Sequence, residues 1–231
     1  MKNLNVRWFC WVAVGLTLAT VAVAALAFKM PVQEGKPLLK VASTAVTVDL
    51  LAWLLFSKWG WKLRFLQGWL VPFPNLNGTW DGEIESNWVD PETGKRISKI
   101  PAVLVINQDF TRISVTMTTG ESSSTSFGES FEIDEDSNEK KLVYSYSNQP
   151  KAGVGDRSSP HKGTTEFRLL GKNVHTLEGH YWNDRSQPVS GDLVFRFRSR
   201  DTDSQGINEM SSHPMANRLR KGQRKRHRKS K

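Results

Sequence analysis

The residues most able to do covalent or metal chemistry in this 231-residue chain are spaced against it. His161, His175 and His180 are the histidines nearest one another, but His175 and His180 lie five positions apart. In an extended strand that spacing points them to opposite faces, so a shared zinc sphere is not expected. Cys10 is the single cysteine, which excludes an intramolecular disulfide and any four-cysteine metal site. Glu132, Asp134, Glu135 and Asp136 crowd into one polar stretch that reads as a solvated turn. Neither a Walker-type nor a Rossmann-type glycine loop occurs, and no Ser-His-Asp context stands out, so no enzymatic activity, cofactor or metal is expected.

What remains is the chemistry of non-covalent binding. Trp80 alternates in phase with Gly82 and Ile84; Tyr144 and Tyr146 with Leu142; Tyr181 with Leu177 and Gly179. Such phases point inward in a sheet with one covered face. Arg112 begins one alternating segment and Arg185 follows another, so both belong at a rim, while Thr164, Thr165 and Ser126 carry hydroxyls within segments. Arg168, Arg196 and Arg198 alternate with apolar neighbours and read as outward.

The elements that position these residues follow from periodicity. From 75 to 200 the period is two, and eight segments have strand character. They are Thr79–Trp88, Ala102–Asp109, Arg112–Thr119, Thr125–Ile133, Lys141–Asn148, Gly163–Leu170, Thr176–Asn183 and Asp192–Arg198. Turn residues join most of them; Gln149–His161 is a longer Gly/Ser/Pro-rich loop suited to a rim or lid. The fold class is therefore mainly β, an eight-stranded antiparallel up-and-down barrel able to enclose one small ligand, with a sandwich as the alternative.

The first 57 residues belong to another solvent. Trp8 to Phe28 is uncharged over 21 residues, a length of about 31 Å as a helix, which matches a hydrocarbon core of about 30 Å. Lys2, Arg7 and Ala25-Leu26-Ala27 would also suit a signal peptide, but the run is longer than an h-region and a second apolar run follows. That second run, 38–57, carries Asp49 near its middle. Ala42, Ala45, Asp49 and Ala52 fall on one helical face, as do Ala13, Thr17, Thr20 and Ala24 in the first run. Small residues allow close helix packing, and an intramembrane carboxylate faces protein or water. These faces are expected to pack helix on helix, within and between subunits. Lys and Arg number five on the outer flanks and three in the connector, which favours both termini in the cytoplasm. Residues 58–74, with Trp59, Trp61, Trp69, Lys58, Lys62 and Arg64, read as an interfacial connector holding a short helix. Beyond 200 the chain reads as a disordered basic tail. From Met215 to Lys231 there are nine Lys/Arg and no Asp/Glu, so the net charge of +9 is a property of the tail, suited to anionic lipid or to non-specific nucleic-acid contact.

Two transmembrane helices followed in order by "PNLNGTWDG", "YSYSNQP", "HKGTTEFRL" and "LEGHYWNDR" resemble one bacterial family. This is the CD-NTase-associated protein 15 family, the membrane-embedded β-barrel effectors of cyclic-oligonucleotide-based anti-phage signalling (CBASS). Gly78-Thr79-Trp80 alone also resembles the Gly-x-Trp of lipocalins. The family resemblance implies a cytosolic barrel that binds a cyclic dinucleotide made by a partner CD-NTase. It also implies oligomerisation in the bacterial inner membrane and membrane damage that halts the infected cell.

A cyclic dinucleotide offers two bases for stacking and two phosphates for cations or hydroxyls. On that implication Tyr146, Tyr181 and Arg185 are the first candidates, with Trp80, Tyr144, Arg112 and Thr165 behind them. Trp80 also suits a plug at the closed end of the barrel. Asp49, Ala45, Ala42 and Ala52 become the membrane oligomer face. The alternatives are a membrane-tethered lipocalin-like barrel carrying a lipid, and an RNA-binding membrane protein acting through its tail.

Overall fold

The structure, a computed structural model, describes residues 6–27, 35–89, 94, 96, 99–134, 139–151, 159–169, 174–185 and 187–202. The tail from 203 onward, most of the Gln149–His161 loop, and Glu135 and Asp136 lie outside the described residues. Two compact units divide the chain. One holds 74–108 and 112–202, and the other holds 6–73 with Asp109–Thr111.

The first unit is a closed barrel of β1 (Gly78–Ser86), β2 (Ile100–Gln108), β3 (Ile113–Thr119), β4 (Ser122–Asp134), β5 (Glu139–Pro150), β6 (His161–Leu169), β7 (Thr176–Asn183) and β8 (Ser190–Ser199). Neighbours in sequence pair antiparallel, and β1 pairs with β8 to close the ring, which leaves the up-and-down barrel rather than the sandwich. All eight expected segments are strands. β4 begins three residues earlier than its apolar pattern, because the run Ser122-Ser123-Ser124 pairs through its backbone with Asn148–Pro150 while offering no alternation to read. A bulge between Ser126 and Gly128 inserts Phe127 and leaves it exposed, while Glu129 and Phe131 come opposite Tyr144 and Leu142. An extra residue that shifts the phase in this way is what a β-bulge does.

Inward side chains change character along the strands. Towards the Gly78 end, Trp80, Leu104, Ile106, Val115, Leu142, Phe167, Leu177 and Phe195 form one buried apolar cluster. This end is closed by residues 74–77. Leu76 is fully buried, its N–H donates to Gln108 Oε1 at 2.8 Å, and Trp80 Nε1 donates to the Leu76 carbonyl at 3.1 Å. Gln108 Nε2 also donates to the Pro74 carbonyl, and the Asn77 side chain bonds both backbone groups of Gln108. Towards the Ser86 end the buried side chains include Ser86, Ser124, Asn148, Thr165 and Asn183.

The second unit is built on α1 (Val6–Ala27) and α2 (Gly35–Lys58). Both are long and apolar enough to cross a membrane, over Arg7–Leu26 and Val41–Lys58. α2 starts a turn's length before the expected span because Pro37 is tolerated in a first helical turn. The small-residue faces pack against each other within one chain. Ala24, Val41 and Ala45 are buried, Thr17 Oγ1 lies 2.6 Å from Asp49 Oδ2, and Ala52 is half-buried while Ala42 is exposed. Asp49 Oδ1 is buried without a hydrogen-bond partner. Leu18, Val23, Leu26, Leu50, Leu51 and Leu54 stay exposed, as suits side chains solvated by lipid.

The connector is not the continuous interfacial helix expected. It makes two short 3₁₀ turns, Gly60–Lys62 and Arg64–Leu66, and Gly68 takes a φ of 97° that an ordinary side chain resists. Its aromatics divide. Trp61 is buried against Phe73, whereas Trp59, Phe65 and Trp69 are exposed beside Lys62 and Arg64. Phe110 counts with this unit, its N–H on the Ser57 carbonyl and its ring 4.8 Å from that of Phe56.

Replacing Gln108 by Leu keeps the volume but strands the buried Leu76 N–H and the Pro74 carbonyl. The expected loss is about 1–3 kcal/mol of barrel stability, read from denaturant unfolding of the full chain in detergent. An unchanged midpoint would show that the amide does not hold this end.

Candidate functional site

All three tyrosines of the chain lie inside the barrel towards the Ser86 end. Tyr144 and Tyr146 come from β5 and Tyr181 from β7, two residues apart or on facing strands, as the period-two phase requires. Glycines give two of the rings their places. Gly163 pairs with Tyr146, and Gly191 pairs with Tyr181. A Cβ on Gly163 would stand 2.4 Å from the Tyr146 hydroxyl, and one on Gly191 would stand 2.8 Å from Tyr181 Cε1. The rings therefore lie across bare backbone. Tyr181 donates to Ser86 Oγ at 2.9 Å. Below them, Tyr144 and Thr165 are directly opposed and buried, and neither hydroxyl has a hydrogen-bond partner. The two hydroxyls sit near enough for Thr165 to act on Tyr144 electrostatically, but not in bonding geometry. Unpartnered buried hydroxyls are costly, so each is available to a polar atom that enters the barrel.

The rim supplies charge. Asn183 Oδ1 accepts the N–H of Val189 at 3.1 Å and that of Arg185 at 3.4 Å, which shapes the loop after β7. Asp184 is tied to Lys162 through its own N–H at 3.0 Å and through Oδ1 at 2.8 Å. Arg185 Nε then reaches His161 Nδ1 at 3.2 Å, and the His161 ring stands edge-on to Tyr146 at 6.4 Å. Burial pushes the Tyr146 hydroxyl well above the ordinary tyrosine range; Tyr181, Tyr144 and Asp184 add to this and Arg185 opposes it. Burial likewise raises Tyr181, with Ser86 and Arg185 opposing. Tyr144 is raised by burial with the Thr165 hydroxyl opposing. His161 is held below its usual value, first by burial and also by Arg185, against the Ser159 carbonyl and Asp184.

A cleft of about 460 Å³ lies at the same end of the barrel, on the β1, β7 and β8 side; it is lined by Glu85, Asn87, Arg96, His180, Trp182 and Asp192 and shares only Ser86 and Tyr181 with the cluster. His180 and Asp192 form an exposed pair across it at 2.5 Å. Among the described residues no three His, Cys, Asp or Glu side chains gather as a metal would require. Aromatic faces, a guanidinium and neutral hydroxyls together suit a planar, anionic solute held without covalent chemistry.

Five of the seven ligand candidates meet at this end: Tyr144, Tyr146, Tyr181, Thr165 and Arg185. Trp80 does not. It is buried at the opposite end, 5.2 Å from the Phe197 ring, in the plugging place. Arg112 is exposed at the start of β3, also at the Gly78 end. His161 was weighed in the sequence only as a metal ligand, and Ser86, Asn148 and Asn183 were not singled out. Their signal was present, since each is a polar residue at the Ser86 end of a strand, on the face its buried neighbours share.

Over residues 71–196, the whole barrel except its last residues, the sequence matches the family model "Cap15, cyclic dinucleotide receptor domain". The chain belongs to the Cap15 family. Curated relatives named CD-NTase-associated protein 15 agree. The one from Yersinia aleksiciae is 30% identical over 156 residues, 67% of this chain and 68% of the relative. The one from Escherichia albertii is 26% identical over 154 residues, 65% of this chain and 75% of the relative. The family match takes in every member of the tyrosine cluster and its rim, and both alignments are longer than the matched domain.

Two pH effects follow from these environments. The folded His161 resists a proton that the unfolded ring accepts near pH 6.5, so its contribution to stability is whole above about pH 6.5 and is lost as pH falls below it. Melting curves of wild type and His161→Gln should converge as the pH is lowered. Parallel curves would count against the assignment. The tyrosines behave oppositely: native phenols should stay un-ionised near pH 10 and titrate only on unfolding, which ultraviolet difference absorbance reads.

Proposed function

We propose that the chain is the membrane-anchored receptor and effector of a CBASS system, with a cyclic dinucleotide as its messenger. The observation that carries the reading is the cluster of Tyr144, Tyr146, Tyr181, Thr165 and Arg185 in one mouth of a barrel that belongs to a cyclic dinucleotide receptor family. The bases stack on Tyr146 and Tyr181, at about 1–3 kcal/mol per stacked base. Arg185 meets a phosphate, and the hydroxyls of Tyr144 and Thr165 take polar edges of the ligand. The messenger comes from a CD-NTase. The two apolar helices hold the chain in the bacterial inner membrane as a multi-pass protein with barrel and termini in the cytoplasm. Binding drives homo-oligomerisation through the helices, and the resulting membrane disruption stops the infected cell. Anionic lipid attracts the basic tail. No step in this account is enzymatic.

A polar, tyrosine-lined mouth favours this ligand over a lipid, whose carrier would need an apolar one. The deciding experiment is a thermal-shift panel on the full chain in detergent. One cyclic dinucleotide should raise the melting temperature while its linear counterparts do not; no response to any member of the panel would sink the reading. Tyr146→Ala and Tyr181→Ala should each weaken binding by about five- to 150-fold, and Arg112→Ala should leave it unchanged.

The helical half has its own test. Asp49→Leu removes the hydroxyl–carboxyl contact with Thr17. It is expected to keep ligand binding but to reduce ligand-induced oligomers on a native gel and to abolish growth arrest. Full toxicity of that variant would overturn the role given to the helix pair.

A further inference from the structure

We propose that His161 and Arg185 form a phosphate clamp in the barrel mouth, and that closing it takes up a proton at His161 Nδ1. The geometry behind this is a conflict at one atom. Arg185 Nε lies 3.2 Å from His161 Nδ1, and an N–H donor there requires a lone pair on that nitrogen. The Ser159 carbonyl oxygen lies 3.0 Å from the same nitrogen, and a carbonyl there requires a proton on it. One ring nitrogen satisfies one of these neighbours at a time. With the lone pair at Nδ1 the neutral ring, protonated at Nε2, holds Arg185; when Nδ1 takes up a second proton while Nε2 keeps its own, the imidazolium turns to Ser159 and presents a positive edge to the guanidinium.

An anion resolves the second state. A phosphate oxygen accepts from the guanidinium and neutralises the imidazolium beside it, so the proton and the anion favour each other's binding. The charged and titratable neighbours among the described residues are few. Arg185 and Asp184 face the ring from the loop after β7, and Tyr146 from β5. Lys162, next to His161 on its own strand, turns its ammonium outward over the Phe127 ring. Asp184 is the one carboxylate among them, and its Oδ1 already accepts the Lys162 N–H. Burial and Arg185 keep the ring neutral until an anion arrives. The clamp stands beside Tyr146, so a phosphate held there sets its base over that ring.

The identity of the phosphate, as part of a cyclic dinucleotide, rests on the functional reading above; the clamp does not. The first arm therefore uses inorganic phosphate alone. In the full chain in detergent micelles with ¹⁵N-labelled histidine, the His161 ring nitrogens are titrated with and without phosphate. Phosphate should move the His161 midpoint upward. Arg185→Gln should raise the phosphate-free midpoint and shrink the phosphate effect. A midpoint that phosphate leaves in place would overturn the clamp.

The second arm uses whichever cyclic dinucleotide stabilises the protein. Its affinity should tighten from about pH 8 to about pH 6, by up to about tenfold for each unit by which binding displaces the His161 pKa. His161→Gln should flatten that profile, whereas a purely structural role would lower affinity equally at every pH. An unchanged slope in the variant would overturn proton uptake at His161. If no cyclic dinucleotide binds at all, the functional reading fails and the phosphate titration alone decides the clamp.

Discussion

The interior of an eight-stranded barrel is just wide enough for its own side chains, and this narrowness governs the rest of the receptor unit. At each level the inward residues must fill the lumen together. In the lower half they are large and apolar, and Trp80, Leu104, Phe167 and Phe195 meet at the centre with almost no exposure. A lumen filled in that way is a core. In the upper half the inward positions alternate between bulky tyrosines and glycine, serine or asparagine, so the same width holds rings that lie against backbone and hydroxyls that lack partners. The change from core to site is thus a change of side-chain size and polarity along strands that run through both halves.

Closure of the lower end makes that division possible. Residues 74–77 would leave buried backbone donors and acceptors unsatisfied if they crossed a purely apolar floor. One amide, Gln108, answers the Leu76 N–H and the Pro74 carbonyl, while Asn77 answers the backbone of Gln108 in return. With each partner matched, the arrangement costs little, and Leu76 and Trp80 can seal the barrel. At the upper end polar groups are left unmatched or doubly matched. Tyr144 and Thr165 lack partners, and His161 Nδ1 has two that exclude each other. Satisfied polar groups hold one end shut, and unmatched ones gather at the other, where the proposed ligand would enter.

In the helical unit, whose two helices are long and apolar enough to cross a membrane, the same question of partners recurs. Lipid rewards no burial of leucine, so the two helices meet along their small residues and through the contact of Thr17 with Asp49. Leu18, Val23, Leu26, Leu50, Leu51 and Leu54 face outward. Asp49 enters this interface with one oxygen matched and one not.

Much of this was legible in the residues. The period of two and the turn residues gave eight strands, and the two apolar runs gave two helices, because both patterns record which solvent each face meets. The phases of Tyr144, Tyr146 and Tyr181 placed them inside, and Asp49 marked its helix face. Less was legible where local pattern and environment part. The bulge at Phe127 turns that ring out, and no local pattern announces it. The connector's tryptophans suggest a short helix, where the chain makes two 3₁₀ turns and then turns at Gly68. Trp80 and Arg112 lie at the Gly78 end, away from the other five candidates.

Sequence by itself determined the two solvents, the strand count and the inward phase, since each depends only on the order of polar and apolar residues. Only the tertiary structure decided which candidate residues gather at one end of the barrel. That choice depends on register: which strand sets glycine against tyrosine, which brings the loop after β7 to His161, and which lays Leu76 over Gln108. Register joins residues far apart in the chain, and no local pattern carries it.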